Sequence, residues 1–337
     1  MRKLVWGLIG GSTIARQHMV RAIQAEPGSR IGWIASGCRV RAEEFATDCG
    51  ISRATDRVGD VLADPEVTCV YISSTNEKHG AQTLAALAAG KHVLCEKPLA
   101  MGLADALAMV AAARAAGLVL ATNHHLRCSG SHRAIRDLIA AGRIGRVLSV
   151  RIHHAVHLPP HLQGWRIDNP KAGGGVIGDI TVHDADTVHH LLGEVPISVV
   201  AEATSSGMGL GVEDSAMSVW TMPGGAQIMA HESFTHAFAG TGLEVHGTEG
   251  SIFGRGVMTQ VPVGVVELVT AQGREVVPFA DHDLYAQGVA EFAAALHGQG
   301  RPAATGADGV IALAVALAVA EAARTGRRVD VDCGGLA

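Results

Sequence analysis

Leu4-Val5-Trp6-Gly7-Leu8-Ile9, followed at once by Gly10-Gly11-Ser12-Thr13-Ile14-Ala15, is the stretch that decides the fold. A short, unbroken apolar run reads as a strand buried on both faces, as strands of parallel sheets are. The glycines end it where the chain must turn, and a helical pattern covers Thr13–Ala25. A Gly-rich turn between a first strand and a first helix lets backbone N–H groups approach a pyrophosphate, and the helix N-terminus favours its charge. The match to G-x-G-x-x-G/A is incomplete, because Ser12 stands where the second glycine belongs. The motif gains its meaning from the segments on its C-terminal side.

Up to about residue 120, strand-like and helix-like segments alternate. Strands are expected at Leu4–Ile9, Arg30–Ala35, Cys69–Ile72, His92–Cys95 and Val119–Ala121, with helices near Thr13–Ala25, Arg41–Cys49, Val58–Ala63, Gly80–Ala89 and Leu103–Ala116. Such alternation predicts βαβ units and the doubly wound, Rossmann-type α/β architecture. After Gly145 the pattern changes. Val147–Val156, Ser198–Thr204, Ser215–Thr221, Ala226–His231, Leu243–His246 and Val263–Thr270 read as strands. Short turns such as Pro223-Gly224-Gly225 and Gln272-Gly273 join some of them, as antiparallel neighbours require. Helices are expected near Gly178–Leu192, Leu284–Leu296 and Ala307–Ala323. We therefore expect two domains: residues 1–122 binding a nucleotide, and residues 123–337 forming an α+β domain on a predominantly antiparallel sheet. The free face of that sheet would suit a homo-oligomer.

Composition narrows the class. The chain has 337 residues, nearly half of them apolar, and a formal net charge of −5. No basic field exists to neutralise phosphates, so nucleic acid is not an expected partner. The six cysteines are scattered with no C-x-x-C spacing, which predicts free thiols in a reducing compartment. Arg2-Lys3 before Leu4–Ile9 resembles the start of a signal peptide, but the apolar run is short and passes into glycines. Val310–Ala320 is apolar throughout yet shorter than the ~20 residues of a membrane span, so a buried helix is expected. The expected location is cytoplasmic, with no membrane partner.

Three further segments carry chemistry. The second strand ends at Ser36-Gly37, followed by Arg39 and Arg41, with no acid before Glu43. An acid at that end binds a ribose 2′-hydroxyl, whereas a hydroxyl and guanidinium groups suit a 2′-phosphate, so NADP(H) is the expected cofactor. Glu96-Lys97-Pro98 puts an ammonium group at the end of the fourth strand. Gly173-Gly174-Gly175 leads to Asp179 and His183, four residues apart on one face of a helix. A lysine, a carboxylate and an imidazole suit carbonyl reduction, where hydride reaches carbon and a proton must reach oxygen. The bland alternatives are a surface lysine after a strand and one ordinary histidine among 18. His153, His154, His157 and His161 cluster, but Pro159-Pro160 keeps His157 and His161 off one helical turn and no Cys joins them, so no metal is expected.

Glu96-Lys97-Pro98, Gly142-Arg143-Ile144-Gly145 and the Gly173–His183 segment together resemble the Gfo/Idh/MocA oxidoreductases, over nearly the whole chain. Longer strings, Asn123-His124-His125 and Leu158 to Arg166 among them, point within that family towards reduction of a sugar ketone. Gly37, where a second hydroxyl residue would be expected, and Gly178 depart from the pattern. The resemblance implies that Lys97 gives the proton or holds the developing alkoxide, that His183 is the second donor, and that Asp179 fixes the histidine or a substrate hydroxyl. It implies a cis Lys97–Pro98 bond. It also implies cofactor contacts from Gly10, Gly11, Ser12, Thr13 and Ile14, from Ser36, Gly37 and Arg41, and from Ser74, Thr75, Asn76, Glu77 and His79. Glu96, Lys97, Asn123, Trp165, Arg166 and Tyr285 complete that set. Lys97, His154, Trp165, Arg166, Asp179 and His183 are the implied substrate contacts. The competing readings are a polyol or inositol dehydrogenase of the same family, and a catalytically silent sugar or nucleotide sensor.

Overall fold

The computed structural model describes residues 3–336; Arg2, part of the leader-like start, lies outside the described residues. The chain forms two compact units. One holds the N-terminal segment through His124 together with Tyr285–Val310, and the other holds His125–Leu284 and the C-terminal segment from Ile311. The sequence boundary at 122/123 places Tyr285–Val310 in the second domain, whereas in the structure this segment packs with the first unit.

The first unit is built on six strands: β1 (Leu4–Ile9), β2 (Ser29–Ala35), β3 (Ala54–Thr55), β4 (Cys69–Ile72), β5 (His92–Cys95) and β6 (Leu120–Thr122). Every pairing is parallel, in the order β3-β2-β1-β4-β5-β6. Strand order reverses between β1 and β4, the switch point where open α/β sheets bind ligands at the carboxyl ends of their strands. β1 and β4 are buried along their whole length, which accounts for their apolar sequence. The returning segment is part of this unit's core. Phe292 packs its ring 5.2 Å from that of Trp6, and both are fully buried. The Thr122 N–H donates to the Ala304 carbonyl at 3.1 Å, and Gly309 faces the Thr122 side chain where any Cβ would collide.

Nine strands form the second unit's sheet: β7 (Val147–Ala155), β8 (Ser198–Thr204), β9 (Ser215–Thr221), β10 (Gln227–Ser233), β11 (Thr241–Gly247), β12 (Gly250–Arg255), β13 (Val265–Thr270), β14 (Gly273–Val277) and β15 (Val329–Asp330). Their order is β14-β13-β12-β11-β7-β10-β9-β8-β15. All pairs are antiparallel except β7 with β10 at the centre. Side-chain alternation sends Val150, Ile152, Trp220, Ile228, Ala230, Leu243, Val245 and Ile252 into one apolar core. Helices Gly130–Ala140 and Val182–Leu192 pack on the sheet at that face. On the other face Met217, Val219 and Met229 are exposed. The apolar helix expected near the C-terminus spans Gly306–Thr325. It has the length and composition of a membrane span, but its most apolar window is 72% buried in the fold. All six cysteines are free thiols, four of them buried.

Candidate active site

After β1 the chain turns at Gly10, whose φ of +108° and contact with the Ser73–Ser74 backbone leave no room for a side chain. Ser12 has a use of its own at the position where the dinucleotide pattern has glycine. Its hydroxyl accepts the Ala15 N–H at 3.1 Å and donates to Ser73 Oγ at 2.9 Å, while Ser73 Oγ donates to the Gly10 carbonyl. The helical run from Thr13 to Ala25 contains a π turn over Ala15–Met19, which the sequence pattern does not reveal. A backbone turn stripped of Cβ, facing a helix N-terminus at the sheet's switch point, fits a dinucleotide pyrophosphate.

At the end of β2 the chain passes through Ser36 and Gly37 into the helix Arg39–Cys49. Arg41 folds back over this turn: its Nε donates to Cys38 Sγ at 3.3 Å, and a Cβ on Gly37 would lie 3.0 Å from its guanidinium. The glycine thus makes room for the arginine. Arg39 points elsewhere and pairs with Glu43 at 2.6 Å on the exposed helix face.

The ends of β4, β5 and β6 gather the remaining candidates of this unit. His79 is fully buried, with Nδ1 2.8 Å from the Pro98 carbonyl oxygen and Nε2 3.1 Å from that of Ser74. Burial lowers its pKa against the pull of those carbonyls. The ring ties the Ser74–Lys78 loop to the segment after Lys97. Ser74 donates to Gln82, and Thr75 donates to Glu77. Glu96 Oε1 accepts from both Tyr71 Oη and Asn123 Nδ2, each at 2.6 Å. Next to this knot, Lys97 is half-buried and its bond to Pro98 is cis. Tyr285, 2% exposed, stacks on His18 with ring centroids 4.5 Å apart.

In the second unit the Gly173–Gly175 turn is fixed by its surroundings. The Gly174 and Gly175 N–H groups donate to the carbonyls of Asn169 and Arg166 at 3.0 and 2.8 Å. Gly175 has φ +113° and abuts the Glu213 carboxyl, which also accepts the Ile177 N–H at 3.1 Å. A π turn over Ile177–Thr181 comes next and passes into the helix Val182–Leu192, so Asp179 and His183 straddle a π/α junction. Gly178 is not sterically compelled, since a Cβ there would meet only the Gly173 carbonyl oxygen, at 3.4 Å. Arg166 stacks over Trp165 at 4.7 Å and reaches Asp179 at 3.3 Å. His183, 7% exposed, lies edge-on to His125 at 5.1 Å and 6.2 Å from the His154 ring. His154 in turn meets Asp184 at 3.1 Å. Trp165, Arg166, Asp179, His183 and His154 therefore form one polar constellation within this unit. Its supports, Asp184 and Glu232, are not found by sequence reading. Both are acids that pattern alone assigns to solvent, and only the strand register reveals that Glu232 sits beside His154.

Among the described residues no three His, Cys, Asp or Glu side chains converge as metal ligands. His153 lies on the sheet face opposite His154, as alternation along β7 requires.

A doubly wound nucleotide-binding unit, with a lysine after its fifth strand, joined to a unit bearing an Asp–His constellation, defines a nicotinamide-dependent oxidoreductase. Residues 4–124 match the oxidoreductase family with an NAD-binding Rossmann fold, and residues 132–253 match the GFO/IDH/MocA C-terminal domain. The chain belongs to the GFO/IDH/MocA oxidoreductases. It is 53% identical over 330 residues to 1,5-anhydro-D-fructose reductase of Ensifer adhaerens, covering 98% of this chain and 99% of that one. Among solved structures it is similar to the aldose-aldose oxidoreductase of Caulobacter crescentus complexed with glycerol, with a TM-score of 0.89, 25% identity, and coverage of 98% and 100%. A levoglucosan dehydrogenase in complex with NADH and levoglucosan gives a TM-score of 0.86 at 25% identity, covering 98% and 99%. The protein is an oxidoreductase that uses a nicotinamide cofactor.

Proposed function

We propose that this enzyme reduces the C2 ketone of 1,5-anhydro-D-fructose to 1,5-anhydro-D-mannitol with NADPH. The observation that carries the reading is the 53% identity, end to end, to the Ensifer adhaerens reductase. Bound nicotinamide would supply the hydride. Lys97 delivers the proton to the ketone oxygen or holds the alkoxide as it forms, and His183 is the second proton donor. Asp179, held by Arg166, orients His183 or a substrate hydroxyl. Trp165 offers an aromatic face, and Arg166 and His154 offer polar contacts of the kind a polyol needs. A site that bonds particular hydroxyls rejects analogues lacking them, because its own buried polar groups are then left unpaired. For the cofactor, Ser36 and the Arg41 guanidinium over the Gly37 turn favour a 2′-phosphate. Self-association through the exposed sheet face with Met217, Val219 and Met229 completes the proposal.

The deciding experiment is to follow NADPH oxidation over a panel of anhydrofructose and common ketoses and aldoses, and NAD⁺ reduction over inositols and other polyols, and to identify the product by NMR. Rapid turnover of anhydrofructose giving the mannitol epimer is expected. The glucitol epimer would overturn the facial assignment. Turnover of an inositol or another polyol with NAD⁺, and none of anhydrofructose, would establish the oxidative dehydrogenase reading that the levoglucosan dehydrogenase likeness favours.

A further inference from the structure

Two carboxyl groups behind the polar constellation have no part in the chemistry proposed for Lys97, Asp179 and His183. Asp184, on the helix Val182–Leu192, and Glu232, on β10, are both fully buried. The β7–β10 register sets Glu232 beside His154, and the Glu232 and Asp184 carboxyls lie against each other. Asp184 Oδ1 lies 3.1 Å from His154 Nδ1. No lysine or arginine pairs with either acid among the described residues. The Thr181 hydroxyl lies beside Glu232. Yet no N–H or O–H meets Asp184 Oδ2 or either Glu232 oxygen in full hydrogen-bonding geometry.

Two buried carboxylates in contact cannot both ionise, because each is desolvated and each repels the other's charge. The proton that joins them has an assignable home. Burial raises both groups well above the ordinary carboxyl range, and Asp184 raises Glu232 further. Of the two, only Asp184 has an imidazole nitrogen within hydrogen-bond reach, at 3.1 Å, to support a charge, and Glu232 offsets part of its rise. The other titratable groups packed around the pair leave this unchanged. His132, of the helix Gly130–Ala140, is pushed down to about 4 by burial and then by His154, so it is neutral at pH 7. Asp179 is matched by Arg166, and His183 faces His125.

We infer that Glu232 is held as a neutral acid donating to ionised Asp184, and that the pair acts as a positioning device: it keeps the His154 proton on Nδ1 and leaves Nε2 as an acceptor for a substrate hydroxyl. A glutamate and an aspartate thereby present one negative charge to His154. If the acid on Glu232 is removed, Asp184 becomes a lone buried carboxylate and takes up a proton itself. Asp184 then donates to Nδ1, the imidazole proton moves to Nε2, and the face offered to substrate changes from acceptor to donor. The substrate half of this inference rests on the proposed reading of His154; the tautomer half does not.

The tautomer is read without substrate, by long-range ¹H–¹⁵N NMR of histidine-labelled enzyme, with His154 assigned from a His154→Gln variant. The wild type and Glu232→Gln, whose amide still donates to Asp184, should show the Nδ1–H form. Glu232→Leu should show the Nε2–H form. A protonated carboxyl C=O band in the infrared at neutral pH should disappear in Glu232→Gln, which tests the shared proton even if Glu232→Leu fails to fold. Kinetically, Glu232→Leu should raise the sugar KM on the order of tenfold, one hydrogen bond's worth, with kcat little changed, and Glu232→Gln should restore it. An Nε2–H tautomer in the wild type, or absence of the carboxyl band, would overturn the inference. A tautomer that flips while KM stays fixed upholds the positioning device and refutes His154 as a substrate contact.

Discussion

At the scale of single residues, the proposed chemistry rests on groups whose surroundings are already set. Lys97 is preceded by a glutamate fixed by Tyr71 and Asn123, and His183 is nearly buried beside His125. Replacing Lys97 or His183 by alanine should each lower kcat by ~10²- to 10⁴-fold, the range for positioned acid/base groups. Cofactor affinity should change far less for His183→Ala, which lies in the other unit from the pyrophosphate turn. Steady-state kinetics with saturating substrate and fluorescence titration of the reduced cofactor separate the two effects; near-wild-type kcat in both variants would place the proton donor elsewhere. Arg41 is the better probe of cofactor choice than Arg39, because Arg39 is engaged by Glu43. A charged hydrogen bond contributes roughly 1.5–3 kcal/mol, so Arg41→Ala should cost ~10- to 100-fold in kcat/KM with NADPH. Its kcat/KM with NADH should stay nearly unchanged, and an equal loss with both cofactors would remove Arg41 from 2′-phosphate recognition.

At the scale of elements, the helix carrying His183 and Asp184 is anchored by a charge from elsewhere in its unit. Arg127, on the short 3₁₀ turn His125–Cys128, grips Asp186 through Nε at 2.9 Å to both carboxylate oxygens and through a terminal nitrogen at 2.7 Å. Both side chains are buried, so deleting one strands the other's charge, and Asp186→Ala should destabilise by about 3–5 kcal/mol in urea unfolding. A second anchor titrates. Asp214, immediately before β9, collects the N–H groups of Ser206, Gly207, Met208 and Gly209. Burial raises its pKa, but these donors outweigh burial and bring it from 3.8 to about 2. A carboxylate lowered on folding stabilises fully above its unfolded value and loses that contribution as pH falls towards its folded one. Urea unfolding of wild type and Asp214→Asn should therefore converge by about 2 kcal/mol between pH 5 and pH 2. Five of the first sheet's six strands were legible because burial on both faces demands apolar runs such as Cys69–Ile72; the two-residue Ala54–Thr55 carries no such run. Gly250–Arg255 and Gly273–Val277 were not, since glycines and exposed charges erase the alternation and only neighbouring strands hold them in line. The π turns leave no mark in a hydrophobic pattern, and Glu232 looks like any solvated acid until β7 lies beside it.

At the scale of the whole molecule, the six-stranded sheet is continuous in sequence but its core is not. Residues 4–124 contain every strand of that sheet, yet Phe292, Ala304, Thr305 and Gly309 complete its packing against Trp6, Ala121 and Thr122. Residues 1–124 alone should melt without a sharp transition. The same segment joined by a short linker to residues 285–310 should recover cooperative unfolding, monitored by circular dichroism. A cooperative melt of 1–124 alone, at the midpoint of the joined form, would show that the returning segment is dispensable. The sequence pattern identified helices near Leu284–Leu296 and Ala307–Ala323, but nothing in periodicity says which of two cores a late helix will join.

That return of Tyr285–Val310 also orders events on the ribosome. At roughly 5–20 residues per second, the time from completing β6 to finishing Val310 is on the order of ten to forty seconds. During that interval a nascent sheet displays Trp6 and the flank of Thr122 with their partners not yet made. The second unit's central strands, all between Val147 and Gly247, emerge within that window and can pair first. The half of the enzyme that begins the chain thus cannot close until Tyr285–Val310 has emerged.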